Sequence, residues 1–552
     1  MARPLNASRP NWLRQLPKVL FYITFLVSIL TTWHFVTYYL DSDASSEMVL
    51  ARHWLDTGKI LSTDWIYGSE LRILHVQLIY APLLLIFDDW QTVRFLGAVI
   101  MQVIYLASFG FLLRQAGADK QRFYLGGSLL LLPVSVAYGR IVLYHNHYLP
   151  NITISFFLVG LVLSFVKKQN WKTLWPWLRG SILLALSFLS SVSSIRQLMI
   201  THAPLLLALL VYWLLEDSRE PEAKLTALLR PQRLRIFLPA CAGALAAFLG
   251  LLFGQALSAR GYATYVHPSD STLAVLPTER WNMVLYGYFH QFGFREDVPL
   301  LSICGILSMG SLFLGVYVLL ISLKRLRSPE EDIRKVVLYT FFLWYTGIML
   351  LVFVITGNAN YYYPLYLTLC LPWAVPVLLE DLAEKRKAKN YLPKLFSICA
   401  VALLVVNGLV NIGYLFGVSA FDQPYEGLSL KARDHKQALS GFVDYAQENG
   451  YDLGYGLHWE CNIVTEMTNG EMPMVNIYCD EDNGNIAYYD CLTSRWLRKK
   501  PAQKPFLLLD SYFQQPFEGS DSAEYCTLIY QDTRYCFYSI DDIDAFISLL
   551  YS

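Results

Sequence analysis

Residues 38–48 read YYLDSDASSEM, and they mark the point where a long apolar run gives way to three carboxylates, Asp41, Asp43 and Glu47. The apolar run covers about residues 19–40, which is enough for the roughly 20 apolar residues that cross a hydrocarbon core. It has no small-residue cleavage site, so we interpret it as a membrane anchor. Carboxylates just beyond such an anchor either cap the next helix or take part in chemistry.

Composition places the chain among multi-pass α-helical membrane proteins. Of its 552 residues, 55% are hydrophobic and only 16% are charged, whereas soluble proteins carry about 25% charged residues. The formal net charge is zero, which gives no sign of nucleic acid as a partner. About eleven apolar runs are long enough to be candidate transmembrane helices. They lie near 19–40, 93–113, 123–139, 151–166, 180–197, 198–215, 236–258, 300–323, 336–356, 363–379 and 395–417.

The distribution of Lys and Arg predicts the orientation. The N-terminus and every second loop after it are rich in Lys and Arg, and the loops between them are poor in both. Cytoplasmic loops carry this excess, so we expect a cytoplasmic N-terminus and, after eleven spans, an extracytoplasmic C-terminus. The extracytoplasmic segments are then residues 41–92, 140–150, 259–299 and 357–364, together with the tail from about 418.

The first outer segment, 41–92, is predicted to hold two interfacial helices. The stretch SSEMVLARHWLDTG has helical spacing of its apolar residues, with Ser45 or Ser46 as a cap and Gly58 as the stop. A second apolar run at 75–87 is too short to span the membrane. We expect both helices to lie along the membrane surface.

These residues resemble the GT-C superfamily of membrane glycosyltransferases. That family has an acidic pair after the first span, A-R about eight residues later, and H-P-P-L opening the second interfacial helix. Here Asp43 stands eight residues before Ala51-Arg52, and His75 opens HVQL in the place of H-P-P-L, without the prolines. The resemblance covers about residues 1–420 in topology, and its motifs lie mostly within 41–97.

The resemblance implies an enzyme that takes a sugar from a polyprenyl phosphate donor. The acceptor would be a hydroxyl of a cell-envelope glycan, a lipid-linked glycan or a protein on the extracytoplasmic face. A positioned carboxylate removes the proton of such a hydroxyl, and we assign this role to Asp43, with Asp41 as the second candidate. The cytoplasmic loops are short and hold no glycine-rich phosphate loop, which agrees with a lipid-borne donor.

Other polar residues of the outer face are candidates for binding substrate. Arg140 and Arg196 suit a phosphate because a guanidinium binds its oxygens in a bidentate manner. His145 and His147 share the turn that follows Arg140, and His147 with Asp41 and Asp43 forms a candidate site for a divalent metal such as Mg or Mn. The remaining candidates are Glu47, His75, Arg280, Arg295, Asn360 and Tyr361.

The tail, residues 421–552, is predicted to be a soluble extracytoplasmic α/β domain that helps to bind or position the acceptor. Strand-like and helix-like stretches alternate in it. His458, Trp459 and Glu460 follow the first of its strands, where contacts are frequently made in α/β sheets. We also expect a disulfide between Cys526 and Cys536 across a hairpin.

Two other function classes are compatible with a multi-pass protein of this kind. A polysaccharide polymerase or ligase acting on lipid-linked glycans would carry a large outer loop between late spans rather than acids after the first one. A transporter or flippase for lipid-linked sugars would show internal repeats and polar groups at mid-membrane. No repeat is evident in the sequence, and its polar clusters fall on one face.

Overall fold

The computed structural model describes residues 11–135, 138–217, 231–265, 278–295, 298–326, 332–355, 370–385, 391–416 and 435–550. It consists of a helical membrane region followed by a C-terminal domain built on a β-sheet. The predicted domain boundary at 420/421 falls outside the described residues.

Each of the apolar runs predicted as a span overlaps a helical segment of the membrane region. Within the described residues, six helices are long and apolar enough to cross a membrane, and the pair Tyr138–Tyr144 and Leu149–Ser164, bent by 72°, gives a seventh if it is one span. The prediction of a multi-pass α-helical membrane protein is therefore confirmed, and six or seven of the eleven predicted spans meet this test of length and composition within the described residues. The helices are α1 (Asn11–Tyr38), α2 (Ser42–Thr57), α3 (Gln77–Leu84), α4 (Trp90–Gln115), α5 (Lys120–Leu130), α6 (Leu149–Ser164), α7 (Leu174–Ser193), α8 (Ala203–Asp217), α9 (Pro231–Ser258), α10 (Thr278–His290), α11 (Ile303–Leu326), α12 (Ile333–Ile355), α13 (Cys370–Lys385) and α14 (Tyr391–Leu415), with π-helical segments at Tyr138–Tyr144 and Leu198–His202.

Helices α7 and α9 illustrate how membrane helices pack through small residues. A Cβ on Gly250 or Gly254 would lie 2.2 Å from the carbonyl oxygen of Phe188 or Val192, respectively. These two glycines, four residues apart on α9, let its backbone touch that of α7. Close approach through paired glycines is a principal means of helix association in lipid.

The segment 41–92 contains the two predicted short helices and one short strand. Gly58 ends α2 with φ at 66°, the left-handed conformation that favours glycine at a helix end. Helix α3 has only eight residues, too few to cross a membrane. Between them, strand β1 (Trp65–Ile66) pairs with strand β5 (Thr493–Ser494) of the C-terminal domain.

The C-terminal domain has a six-stranded mixed sheet in the order β4-β3-β2-β6-β8-β7. Strand β2 runs parallel to both β3 and β6, and the outer pairs are antiparallel. The strands are β2 (Leu453–Leu457), β3 (Met474–Cys479), β4 (Ile486–Tyr488), β6 (Pro505–Asp510), β7 (Cys526–Gln531) and β8 (Tyr535–Ile540), and the helices are α15 (His435–Glu448), α16 (His458–Met467), α17 (Gln514–Glu518) and α18 (Ile543–Leu549).

The predicted Cys526–Cys536 disulfide is wrong, because all nine cysteines are free. The register of the β7–β8 hairpin explains this: Cys526 lies opposite Ile540, and Cys536 lies opposite Gln531. The two thiols are therefore offset along the ladder instead of facing each other.

The C-terminal domain is held on the membrane region by buried polar contacts. Arg94 of α4 forms an ion pair with Glu466 of α16, and both side chains are almost fully buried. The same guanidinium donates to the carbonyl oxygen of Ala44 in α2, at 3.0 Å. One arginine thus joins α4, α16 and α2, and fixes α16 beside the start of α2.

Candidate active site

Asp41 caps helix α2. It has an extended backbone, and its carboxylate accepts hydrogen bonds from the backbone N–H groups of Asp43, at 3.1 Å, and Ala44, at 3.4 Å. Its other oxygen pairs with Arg140 of the π-helical segment. The prediction that Ser45 or Ser46 caps this helix is wrong, because the helix begins earlier, at Ser42.

Both oxygens of Asp41 are therefore engaged by the protein. Burial by itself would raise the pKa of this carboxyl, but Arg140, His145 and His147 together outweigh burial and hold the pKa below its usual range. A carboxylate with a lowered pKa is a weaker proton acceptor. Asp41 consequently serves the helix cap and the Arg140 pair, and is less suited to act as a base.

Asp43 stands in the first turn of α2 with a different environment. Its side chain is 43% exposed, and its Oδ1 lies 3.5 Å from Nε2 of His458, the first residue of α16. The His458 ring also packs against Tyr489, with ring centroids 5.6 Å apart. Asp43 is thus a solvent-accessible carboxylate at the junction of the membrane region and the sheet domain.

Glu47 lies one helical turn beyond Asp43 and is buried, with 2% of its side chain exposed. Its oxygens lie 3.1 Å from Arg72 and 3.2 Å from His75, and it accepts a hydrogen bond from the amide of Gln77. His147 is 3.9 Å away. Burial raises the pKa of Glu47, but Arg72 and His75, with a smaller contribution from His147, together lower it by more than burial raises it. The net pKa lies below the usual range, so the group stays ionised.

The buried charges continue from Arg72 to the second predicted arginine. Glu70 pairs with Arg196, whose guanidinium lies over the ring of Tyr148 at 5.0 Å. Burial raises the pKa of Glu70, and the charges of Arg196 and Arg72 bring it below its usual range. Positive and negative groups therefore alternate from Glu47 through Arg72 and Glu70 to Arg196, and we call these four residues the buried charge chain.

Arg72 adopts a backbone conformation that is unusual for its residue type. Its φ is 56°, in the left-handed region where non-glycine residues are uncommon. Such strain persists only where the surroundings impose it, and it is found mostly at functional sites. This conformation places the Arg72 guanidinium between two buried carboxylates, Glu47 and Glu70.

The structure brings most of the predicted site residues together. Asp41, Asp43, Glu47, His75, Arg140, His147 and Arg196 all belong to the connected groups around α2. His145 is buried beside them, with its ring 4.8 Å from that of Phe35.

The other predicted residues are placed elsewhere or lie outside the description. Arg295 donates to the side chain of Asn411 at 3.0 Å and lies over the ring of Tyr414, which sets it against α14 rather than α2. Arg280 falls on α10, and its side chain lies outside the described part of the chain, as do Asn360 and Tyr361 entirely.

The predicted metal site does not match this arrangement. Among the described residues, no group of three or more His, Cys, Asp or Glu side chains is placed to hold a metal ion. Asp41 is occupied by Arg140 and two backbone N–H groups, and His147 is directed at Glu47. No step of the chemistry is therefore assigned to a metal.

Sequence reasoning missed Arg72 and Glu70, and treated His458 only as one of three residues after a strand. The signal for the first two was the stretch GSELRILH, an alternation of acidic and basic residues in a loop otherwise poor in Lys and Arg. The pairing of Arg94 with Glu466 joins residues 372 positions apart, and their sequence surroundings carry no mark of it.

Comparisons with known proteins bear on the fold. No protein-family model and no curated protein matches the sequence. Among solved structures, ArnT from Cupriavidus metallidurans bound to undecaprenyl phosphate is similar over 96% of this chain and 98% of that chain, with a TM-score of 0.51 and 12% identity. The same ArnT in the apo state covers 94% and 97%, with a TM-score of 0.48 and 12% identity. The chain therefore shares the overall fold of undecaprenyl-phosphate-bound ArnT, and the GT-C-like fold predicted from the sequence is confirmed.

Proposed function

We propose that this chain is a membrane glycosyltransferase that moves a sugar from a polyprenyl phosphate donor to an acceptor hydroxyl. The observation that carries the proposal is Asp43, a 43% exposed carboxylate at the start of α2, next to a buried charge chain that holds arginines. The shared fold supports it, because ArnT of that fold was solved with undecaprenyl phosphate bound. As expected from the Lys and Arg distribution, we place the reaction on the extracytoplasmic face.

Asp43 is assigned as the general base. The acceptor oxygen attacks the anomeric carbon of the donor sugar while Asp43 takes the hydroxyl proton. The bond between the anomeric carbon and the phosphate oxygen breaks, and its electron pair leaves with the polyprenyl phosphate. The solvent access of Asp43 lets it release the proton after each turnover.

Arginines beside the base are assigned to the phosphate. A departing phosphate gains negative charge, which a prepositioned guanidinium stabilises. Arg140 lies beside the cap of α2 and Arg196 ends the buried charge chain. Each arginine already faces a carboxylate, which holds it in place before the donor arrives.

The surroundings of Asp43 support a glycan as the acceptor. It faces the junction with the sheet domain, beside the rings of His458 and Tyr489, and Tyr489 in turn packs against Tyr265 at 5.5 Å. An aromatic ring can pack against the C–H face of a sugar ring, and a neighbouring carboxylate can accept a hydrogen bond from one of its hydroxyls. We therefore propose a cell-envelope glycan or a lipid-linked glycan as acceptor, with a protein hydroxyl as the other candidate.

The test is donor consumption by the purified protein in nanodiscs. A panel of polyprenyl phosphate sugars is supplied with a cell-envelope glycan extract, and free polyprenyl phosphate is measured by mass spectrometry. We expect release with at least one donor, dependent on acceptor. If no donor is consumed and proteoliposomes instead move a lipid-linked sugar between leaflets, the chain is a transporter and the proposal is wrong.

A further inference from the structure

The C-terminal domain forms hydrogen bonds with the first turn of α2, where Asp43 lies. The hydroxyl of Ser42 donates to the backbone carbonyl oxygen of His458. The side-chain amide of Asn462, one turn along α16, donates to the same hydroxyl at 3.3 Å. Arg94 ties Glu466, two turns along α16, to the carbonyl of Ala44. The position of His458 relative to Asp43 is thus set by contacts on both sides of Asp43 in the sequence.

His458 stands at the carboxyl end of a central strand. It follows β2, which has parallel neighbours on both sides. The carboxyl ends of parallel strands are where α/β sheets place functional groups. His458 has 11% of its side chain exposed, against 43% for Asp43. The histidine is therefore the fixed member of the pair and Asp43 the one that can move.

Asn476 decides which nitrogen of His458 carries the proton. The Asn476 amide nitrogen lies 2.7 Å from the carbonyl oxygen of Cys491 and 3.1 Å from Nδ1 of His458. A carbonyl oxygen only accepts, so the atom facing it must be the amide NH₂ group. That NH₂ group also donates to Nδ1, which makes Nδ1 an acceptor. The ring proton is therefore on Nε2, the nitrogen that faces Asp43.

We propose that His458, held by Asn476, is a positioning residue that donates its Nε2–H to Asp43 and orients this carboxylate for proton abstraction. The inference rests on the proposed function and assigns the soluble domain a part in it. The present Nε2–Oδ1 separation of 3.5 Å closes to a hydrogen bond by a small rotation of the exposed Asp43 side chain. Such bonds are frequently long before substrate binds.

The proton itself goes to Asp43 and not to His458. The Nε2 position is already protonated, so the ring has no free site facing the carboxylate. When Asp43 becomes a carboxylic acid, one of its oxygens holds the new proton and the other keeps the bond from Nε2. His458 thus leaves a single oxygen of Asp43 free for the acceptor hydroxyl.

Two amide substitutions test which ring nitrogen matters. His458→Gln puts an NH₂ group near the position of Nε2, whereas His458→Asn puts it near Nδ1, short of Asp43. We expect His458→Gln to keep kcat within about fivefold of wild type, and His458→Asn and His458→Ala to lose about 10- to 100-fold. The KM for donor should stay unchanged in all three, because His458 acts through the base. Tyr512→Phe, an exposed position of the same domain, is the matched control with unchanged kcat.

A second variant leaves His458 intact and keeps the test valid if a His458 variant fails to fold. Asn476→Ala removes the amide that donates to Nδ1, so the ring proton of His458 is no longer confined to Nε2. We expect kcat to fall about threefold to tenfold, with a melting temperature within a few degrees of wild type. Wild-type kcat in Asn476→Ala, or equal losses in the folded Gln and Asn variants, would overturn the positioning role. Absence of transfer by the wild-type protein would instead overturn the proposed function.

Discussion

Helix α2 carries two carboxylates one turn apart, and the structure gives them opposite surroundings. Glu47 is buried among Arg72, His75 and Gln77, whereas Asp43 is 43% exposed beside His458. The cations around Glu47 hold its pKa below the usual range, so it keeps its charge and binds a proton poorly. The comparison shows that the number of carboxylates near a membrane boundary matters less than which one remains open to a substrate.

The largest effect on stability is expected from removing the charge of Glu47, the buried carboxylate of the two. Glu47→Gln removes the charge that faces Arg72 and leaves a buried guanidinium without full compensation, which costs about 3–5 kcal/mol. We expect a marked fall in melting temperature of the purified protein. Asp56→Asn is the matched control, since Asp56 is an exposed carboxylate at the other end of α2. Equal melting temperatures for the two variants would show that Glu47 is not structural.

A smaller loss of stability is expected when Asp41, the cap of α2, is substituted. Asp41→Asn keeps an acceptor for the backbone N–H groups, because asparagine is also a good cap, but it removes the charge facing Arg140. A hydrogen bond to a charged group contributes about 1.5–3 kcal/mol, and the pair is partly exposed. We expect a fall in melting temperature below that of Glu47→Gln. A fall as large as that of Glu47→Gln would mean that Asp41 belongs with the buried charge chain.

A separate, pH-dependent effect on stability is expected at Glu460, a buried carboxyl in the first turn of α16. Burial, and then the charge of Asp510, raise the pKa of Glu460 to about 8. A carboxyl whose folded-state pKa is raised contributes stability that is complete below its unfolded pKa and is lost as pH rises through the folded value. Stability should therefore fall between about pH 4.5 and pH 8.

Glu460→Gln removes this dependence. We expect the variant to melt at a higher temperature than wild type at pH 8.5 and at nearly the same temperature at pH 5. Thermal unfolding at the two pH values provides the measurement. A variant that is less stable than wild type at pH 8.5 would show that Glu460 is ionised and paired in the folded protein.

Local patterns were sufficient to predict the elements that build the site. The apolar runs marked the helices, Gly58 ended α2 as expected, and the run at 75–87 contained α3. Most strands of the C-terminal domain followed from short apolar stretches between turn residues. Strands β4 and β5 were missed, because three and two residues leave too little periodicity to detect.

The contacts between distant segments could not be predicted. Asp41, Asp43 and Glu47 looked like one acidic cluster, yet each meets a different partner: Arg140, His458 and Arg72. Nothing local indicates that His458 faces Asp43, 415 residues earlier in the chain. The cap of α2 was misplaced for a related reason, since serines and aspartates both suit that position and only the helix start distinguishes them.

The measurement that tests the central claim most directly is transfer by Asp43→Asn, with donor binding measured on the same sample. We expect a melting temperature and a donor affinity close to those of wild type, since Asp43 is partly exposed and pairs with no guanidinium among the described residues. The transfer rate should fall by about 10²–10⁴-fold, the usual contribution of a general base, while Asp56→Asn transfers at the wild-type rate. Transfer by Asp43→Asn at the wild-type rate would contradict the assignment of Asp43 as the base.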